Sequence, residues 1–241
     1  NWRLRGKTLA FKYHEYWDLL GVDQHSQFEA KLKELLFKPK EREEFYKRLL
    51  EVNYKVSEDT FKEYFELYSA ERKTNQQDFT PESITKVITE IIAMNKPKES
   101  GYSAYDPAAG TGTLLIAQWD ADRKQVSPFN YFPHEYFYAG EELSDTALIY
   151  LLHNMALRGM NAVIMHGNSI EREYKQVYFV QNSSNDYMKF SDINVMPRSK
   201  TLERALNIRS WTGEPIEHIE SYDVPWFEEF KETIRQGEYR D

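Results

Sequence analysis

The stretch that most restricts the fold of this chain is YDPAAGTGTLLIAQ, residues 105–118. A short strand is predicted to end at Asp106, and a helix to begin just after Gly112. Gly110 and Gly112 let the backbone turn tightly and approach a ligand closely at the start of that helix. An ordinary strand-to-helix turn and a dinucleotide-binding loop both use such glycines, so the motif alone predicts a topology and leaves the ligand open.

The segments around this turn alternate between strands and helices. The runs EYFYAG, AVIMH and VYFV are predicted to be short strands, and SDTALIYLLHNMALRG is predicted to be a helix that Ser144 caps and Gly159 ends. Strands that alternate with helices form βαβ units. The sequence therefore predicts an α/β fold, with a parallel sheet and helices on both faces.

Three regions are predicted along the chain. Residues 1–72 form an α-helical N-terminal region, in which apolar residues recur at helical spacing, as at Phe61, Tyr64, Phe65 and Tyr68. Residues 73–197 form the α/β core. Residues 198–241 contain a helix and an acidic, aromatic-containing tail, which we expect to dock onto the body through Trp226, Phe227 and Phe230.

The composition excludes several classes of site. The chain has no cysteine, so a disulfide framework, a thiolate zinc site and a cysteine nucleophile are excluded. The six histidines are scattered without metal-ligand spacing, and no metal is expected. No apolar run approaches the roughly 20 residues that cross a bilayer, so no membrane association is expected, and the absence of cysteine is compatible with the expected cytoplasmic location.

The net charge of −8 is not that of a protein that coats a phosphate backbone unaided. The acidic residues are concentrated in the tail: residues 214–241 hold nine acids and three bases, which gives −6 of the total. The remainder is nearly balanced, so contact between the main body and DNA stays open.

Three motifs in order resemble one family. QDFTP, DPAAGTGTLL and GEELSDTALIYLLHNMALRGMNAVIMHGNSI closely resemble the adenine-N6 DNA methyltransferases of the type I restriction-modification modification subunits, over about residues 73–182. The resemblance implies a Rossmann-like, S-adenosylmethionine-dependent methyltransferase core with S-adenosylmethionine as its cofactor. It also implies DNA as a partner, with a partner protein or a larger assembly.

The resemblance assigns roles to individual residues. Asp106 would face the ammonium group of the cofactor, Glu142 would take the ribose hydroxyls, and Asn168 stands where the family usually has the Asp that bonds the adenine amino group. An Asn carries both a donor and an acceptor, so that contact is retained. The other residues implied to contact the cofactor are Phe79 and Thr80 along its methionine end, and Ala108, Gly110, Thr111 and Gly112 around it.

The sequence departs from the family at the catalytic loop. Family members place Asn, Asp or Ser, two prolines and an aromatic ring after the fourth strand, where the ring stacks on the flipped base. Here the spacing places NSSN, which begins at Asn182, and no proline pair occurs anywhere in the chain. Asn182 is the candidate catalytic residue of a degenerate motif, and the lost ring removes a contact worth roughly 1–3 kcal/mol per base.

These features predict an S-adenosylmethionine-binding, DNA-methyltransferase-like protein that is catalytically impaired. It would act as a DNA-associated binding or regulatory component of a restriction-related system. One alternative is an active adenine-N6 methyltransferase, or a subunit of one, that uses NSSN with Tyr187 as the ring. Another is a non-catalytic structural module with an empty pocket.

Overall fold

The computed structural model describes residues 14–68 and 102–221 of the 241-residue chain. The first of these parts is helical. After a helical stretch at 14–20, α1 spans His25–Leu35, α2 spans Pro39–Val52 and α3 spans Lys62–Tyr68. The apolar residues of α1, Phe28, Leu32 and Leu35, are buried along one side of the helix. The helices predicted within residues 14–68 are therefore confirmed, and the remainder of the predicted region 1–72 lies outside the described residues.

The second part is a six-stranded sheet with three helices. The strands are β1 (Tyr102–Asp106), β2 (Tyr136–Glu142), β3 (Ala162–Asn168), β4 (Glu173–Gln181), β5 (Asp192–Val195) and β6 (Ser210–Trp211). The helices are α4 (Thr113–Lys124), α5 (Asp145–Leu157) and α6 (Lys200–Leu206). The strand order is β1-β2-β3-β4-β5, with β6 beside β4.

The direction of the strands changes after β3. Strands β1, β2 and β3 are parallel and are joined by α4 and α5, so their carboxyl ends lie at one edge of the sheet. Strand β4 is antiparallel to β3, and β5 is antiparallel to β4. Only residues 169–172 separate β3 from β4, whereas a parallel crossover needs a dozen or more residues. The α/β fold is confirmed, but the prediction of a parallel sheet is wrong for β4 and β5.

The sheet is covered on both faces, as predicted. Successive side chains of a strand point to opposite faces. On one face Ile164 and Val180 belong to the main core, which α4, α5 and the N-terminal helices share. On the other face Met165 and Val177 pack with Leu202 of α6.

Within the described part of the chain, helix α5 is buried along almost its whole length. Every residue from Ala147 to Leu157 is buried, which explains why this helix is apolar on nearly all sides. His153 joins it to two N-terminal helices, because the Tyr46 hydroxyl lies 2.8 Å from Nδ1 and Nε2 lies 2.8 Å from the Leu32 carbonyl. The helical region and the sheet therefore share one hydrophobic core.

The end of the described chain returns along β5. The Val195 N–H donates to the His218 carbonyl (2.7 Å), and Glu220 forms a buried ion pair with Arg42 of α2. The predicted docking of Trp226, Phe227 and Phe230 lies outside the described residues.

Candidate cofactor site

The glycine turn lies at the carboxyl edge of the parallel strands. Asp106 ends β1, and its Oδ1 accepts a hydrogen bond from the Ala108 N–H (3.0 Å). Gly110 and Gly112 both have positive φ, of 57° and 97°, and Gly112 is the N-cap of α4. The turn therefore places the N-terminus of a helix at the edge where open α/β sheets bind ligands.

Glu142 holds this turn from the end of the neighbouring strand. Its Oε2 accepts from the Gly110 N–H and its Oε1 accepts from the Ser144 N–H, both at 2.7 Å. The side chain is buried, and this burial raises the pKa of Glu142, while the hydrogen bonds from Ser144 and Gly110 act in the opposite direction. Glu142 is thus a fixed acceptor against the glycine turn, and its remaining lone pairs suit hydroxyl donors.

Asp106 supplies a second carboxylate on the adjacent strand. Its residue is half-buried, and burial raises its pKa although the Ala108 N–H lowers it. In the register of the sheet Asp106 pairs with Gly140, two residues before Glu142. Two carboxylates at neighbouring strand ends suit a ligand that has a cationic group and hydroxyl groups.

Apolar side chains and open space lie at the same edge. Leu143, directly after β2, is 60% exposed, and Ile170, the second residue after β3, is 85% exposed. A Cβ built on Gly110 would meet no atom within 4 Å, whereas one built on Gly112 would lie 2.8 Å from Leu151 and Met155. The outer glycine faces open space, and the inner glycine packs against α5.

Asn168 ends β3 and closes the turn into β4. Its Oδ1 accepts from the backbone N–H groups of Ile170 (3.0 Å) and Glu171 (3.1 Å). This local bonding is typical of Asn and Asp in turns, and it leaves the amide nitrogen of Asn168 as a donor at the strand end.

Thr111 has a different environment from that implied by the resemblance. It is buried, and its hydroxyl donates to Asp59 (2.5 Å) in the segment between α2 and α3. Asn154 of α5 bonds both Asp59 and the Thr111 carbonyl. Asp59 and Asn154 are not among the site residues predicted from the sequence; the available signal was an Asp just before a helix, which is a common N-terminal cap.

Glu141, next to Glu142, points to the opposite face of the sheet. It is 1% exposed and accepts from Arg172 Nη1 (2.8 Å) and from the hydroxyls of Tyr105 and Tyr174. A buried carboxylate with a cation and hydroxyl donors is satisfied within the protein. The Glu141 side chain therefore joins β1, β2 and β4 and lies away from the turn, whereas its backbone carbonyl accepts from the Ala109 N–H (2.9 Å).

The structure does not bring Asn182 to this edge, and its predicted place in a catalytic loop there is corrected. Because β4 runs antiparallel to β3, its last residues lie beside the start of β3: the Asn182 N–H donates to Asn161 (2.9 Å). Six residue steps of β3 separate that end from Asn168, which is about 20 Å. The Asn182 side chain is fully buried and donates to the carbonyls of Gly159 and Asp186.

Two of the predicted cofactor contacts, Phe79 and Thr80, lie outside the described residues. Within residues 14–68 and 102–221, no group of three or more His, Asp or Glu side chains is placed to hold a metal ion. None of the helices in the same ranges is long and apolar enough to span a membrane.

Comparison with known proteins assigns the family. Residues 56–194 match the N-6 DNA Methylase family. One solved structure, the type I restriction-modification system methyltransferase subunit from Streptococcus thermophilus, matches with 24% identity and a TM-score of 0.33. That match covers 39% of this chain and 19% of the other, so the chain spans about a fifth of that subunit's length. No curated protein matches. Because the family match extends over more than half of its residues, the chain belongs to the N-6 DNA methylase family.

Proposed function

We propose that the chain binds S-adenosylmethionine at the edge formed by the glycine turn, Asp106, Glu142 and Asn168. The observation that carries the proposal is the direct bond from the Gly110 N–H to Glu142, which joins the turn to the carboxylate of the next strand. S-adenosylmethionine carries an ammonium, a sulfonium that bears the transferable methyl group, and a ribose diol. A carboxylate at each polar end with apolar walls between them suits such a molecule.

The residues present fit this ligand. Asp106 would hold the ammonium, Glu142 would accept from the ribose hydroxyls, and Asn168 would contact the adenine edge. Leu143 and Ile170 provide exposed apolar surface, and the open space at Gly110 allows the backbone of the turn to approach the ligand. The Thr111 side chain is already bonded to Asp59, so only its backbone remains for the ligand. Phe79 and Thr80 complete the proposed set through the family resemblance.

Calorimetric titration of the purified protein with S-adenosylmethionine tests the pocket. Saturable binding is expected, and Glu142→Gln should weaken it at least about tenfold, because the variant loses a charged acceptor. Glu171→Gln is the matched control, since that carboxylate is exposed at the same edge and should leave the affinity unchanged. An absence of binding at about millimolar ligand would contradict the proposal and favour a structural module with an empty pocket.

We further propose that the chain alone is catalytically impaired and acts with DNA as a binding or regulatory component, together with a partner or a larger assembly. Among the described residues, the one catalytic candidate, Asn182, is buried at the opposite edge of the sheet. Tyr187, which was considered as the stacking ring, lies on the loop that follows Asn182 and is 46% exposed there. Neither is near the proposed cofactor edge, so the geometry favours binding over independent transfer.

Methyl transfer to duplex DNA of mixed sequence, measured with cofactor labelled in the methyl group, tests the impairment. No transfer above that of a protein-free sample is expected. Transfer that Asn182→Ala abolishes without loss of folded protein would overturn the proposal and restore the active alternative. Anisotropy of a labelled duplex, titrated with the protein at low and high salt, tests the association with DNA independently.

A further inference from the structure

The segment before α3 is fixed by the buried arginine that caps the C-terminus of α5. Arg158 is 5% exposed and donates to the Val56 carbonyl (2.8 Å), the Glu58 carbonyl and the Thr60 hydroxyl (3.0 Å). Its remaining bonds are to Asn154, at the carbonyl and at Oδ1. An arginine carries five N–H donors in a rigid fork, so these bonds determine the path of residues 56–60.

Asp59, in the middle of that segment, gathers five donors. Its Oδ1 accepts from the backbone N–H groups of Phe61 (3.1 Å) and Lys62 (3.0 Å) and from Asn154 Nδ2 (2.8 Å). Its Oδ2 accepts from the hydroxyls of Thr111 (2.5 Å) and Thr113 (2.8 Å). Hydrogen bonds to an ionised acceptor are roughly twice as strong as neutral ones. One carboxylate thus joins the start of α3, the last turn of α5 and the glycine turn.

The two threonines that are bonded to Asp59 lie in the glycine turn and at the start of α4. Thr111 lies between two glycines with positive φ, and Thr113 is the first residue of α4. Glycines of this kind permit many backbone conformations, so the turn requires contacts that select one of them. Glu142 fixes the Gly110 N–H from β2, while Asp59 fixes both threonine hydroxyls from the helical region.

We propose that Asp59 is a positioning residue for the cofactor turn, through which the N-terminal helical region controls cofactor affinity. The inference deepens the proposed function and rests on it. Asp59 acts through Thr111 and Thr113, and it holds the backbone of residues 110–113 in the form that the ligand meets. A turn that is formed before binding does not have to be ordered at the expense of affinity.

Asp59→Asn is the main test, because it keeps the shape of the side chain and removes the charge. Glu58→Gln is the matched control: Glu58 is the neighbouring residue, its side chain is exposed, and it forms only a surface pair with Lys55. Thr113→Val removes one of the hydroxyls and keeps the side-chain volume. Two quantities are measured for each variant: the affinity for S-adenosylmethionine by calorimetry, and hydrogen exchange of the peptide that spans residues 107–113 without ligand.

Asp59→Asn is expected to weaken affinity about tenfold and to accelerate exchange in residues 107–113, with no change in β2 or β3 and none in Glu58→Gln. Thr113→Val should act in the same direction. The double variant should be no weaker than Asp59→Asn, because both changes remove one shared interaction. A general structural defect would instead accelerate exchange throughout the sheet and make the two effects additive.

The two proposals fail in different ways. Affinity and local exchange within about twofold of wild type in Asp59→Asn would overturn the positioning role. If the wild-type protein does not bind S-adenosylmethionine, the proposed function fails, while the exchange data still decide whether Asp59 orders the turn. If Asp59→Asn does not fold, Thr113→Val provides the same two measurements, and unchanged values in it overturn the inference.

Discussion

At the scale of single residues, the two glycines of the turn both have positive φ but differ in the space around them. Gly110 (φ 57°) has open space where a Cβ would be, whereas Gly112 (φ 97°) has the side-chain ends of Leu151 and Met155 at 2.8 Å from that position. An L-residue in the left-handed region costs about 1–2 kcal/mol. The space at Gly110 is therefore available to a ligand, and the space at Gly112 is filled by the core.

This difference predicts unequal effects of the same substitution. Gly110→Ala is expected to lower the free energy of unfolding by about 1 kcal/mol, the strain of the left-handed conformation alone. Gly112→Ala should lower the free energy of unfolding by a further ~1–3 kcal/mol, since its methyl group must displace well-packed side chains. Urea unfolding of both variants measures the difference.

The two substitutions are each other's control, because they share the turn and the sign of φ. Equal losses of stability would show that Leu151 and Met155 move aside at no cost, and would contradict the assignment of Gly112 to the core. A methyl at Gly110 should instead weaken cofactor binding, because it occupies the open space that the ligand is proposed to use.

Glu141 and Glu142 show how much of the site can be predicted from the sequence at the scale of single residues. The run AGEE predicts a carboxylate at the end of β2, and strand alternation requires that the two glutamates face opposite sides. The partner of each depends on residues far along the chain: Arg172 for Glu141, and Gly110 for Glu142. The same holds for Thr111, whose partner Asp59 is 52 residues away. Such pairings become visible only once the fold is known.

At the scale of elements, the position and type of most of the described helices and strands could be predicted, but the short strand β6 and the direction of β4 were not. Apolar periodicity identifies a strand regardless of its direction. The connection of residues 169–172 was the missed signal, since four residues can form a hairpin and cannot form a parallel crossover. Counting positions toward a catalytic motif placed Asn182 at the wrong edge, whereas loop length would have corrected it.

The C-terminal segment provides an element-scale prediction. Arg42 of α2 makes a two-pronged ion pair with Glu220, with both side chains less than 5% exposed. Burial would raise the pKa of Glu220, but bonding and attraction from Arg42 lower it. Glu220→Gln removes the carboxylate that is bonded to the buried cation, so the free energy of unfolding should fall by about 3–5 kcal/mol. Chemical denaturation measures this loss.

A double variant distinguishes the effect of an unpaired buried charge on stability from the effect of lost packing. Arg42→Met with Glu220→Gln removes the buried cation and retains an acceptor for the Ile193 N–H, so it should be more stable than Glu220→Gln alone. Glu44→Gln breaks an exposed pair on the same helix and should leave the unfolding curve unchanged. If the double variant is the less stable of the two, the unpaired charge is not the cause of the loss, and the other contacts of Arg42, such as its bond to the Leu36 carbonyl, stabilise the docked segment.

At the scale of the whole molecule, the stability should depend on pH through buried imidazoles. Burial lowers the pKa of His153 to about 3, against the hydrogen bond to the Leu32 carbonyl. Burial also lowers the pKa of His166 to about 4, although Asp145 raises it. Both rings are neutral in the folded state and bind a proton on unfolding below about pH 6.5. The unfolded state thus binds more protons in this range, so stability is lost as the pH falls from about 6.5 toward those values.

His153→Gln tests the larger of these contributions, because an amide can still accept from Tyr46 and donate to the Leu32 carbonyl. The variant should be less stable than wild type at about pH 7.5, where the His153 ring of wild type is neutral in both the folded and the unfolded state. At about pH 5 the same substitution should destabilise by about 2 kcal/mol less, since wild type has by then lost that amount to protonation of unfolded His153. Urea unfolding at the two pH values gives the difference directly.

Comparing wild type with the same variant at both pH values removes the contribution of the carboxylates to the difference in stability. Glu142 and Asp106, whose pKa values are raised, bind protons more readily in the folded state and oppose the trend, but they are present in both proteins. Leu49→Ala is the control: it removes a buried apolar side chain without a titrating group, so its effect should be the same at both pH values. If His153→Gln behaves like Leu49→Ala, the ring is not held neutral. The contact that joins α5 to α1 and α2 would then tolerate a charge at the centre of the shared core.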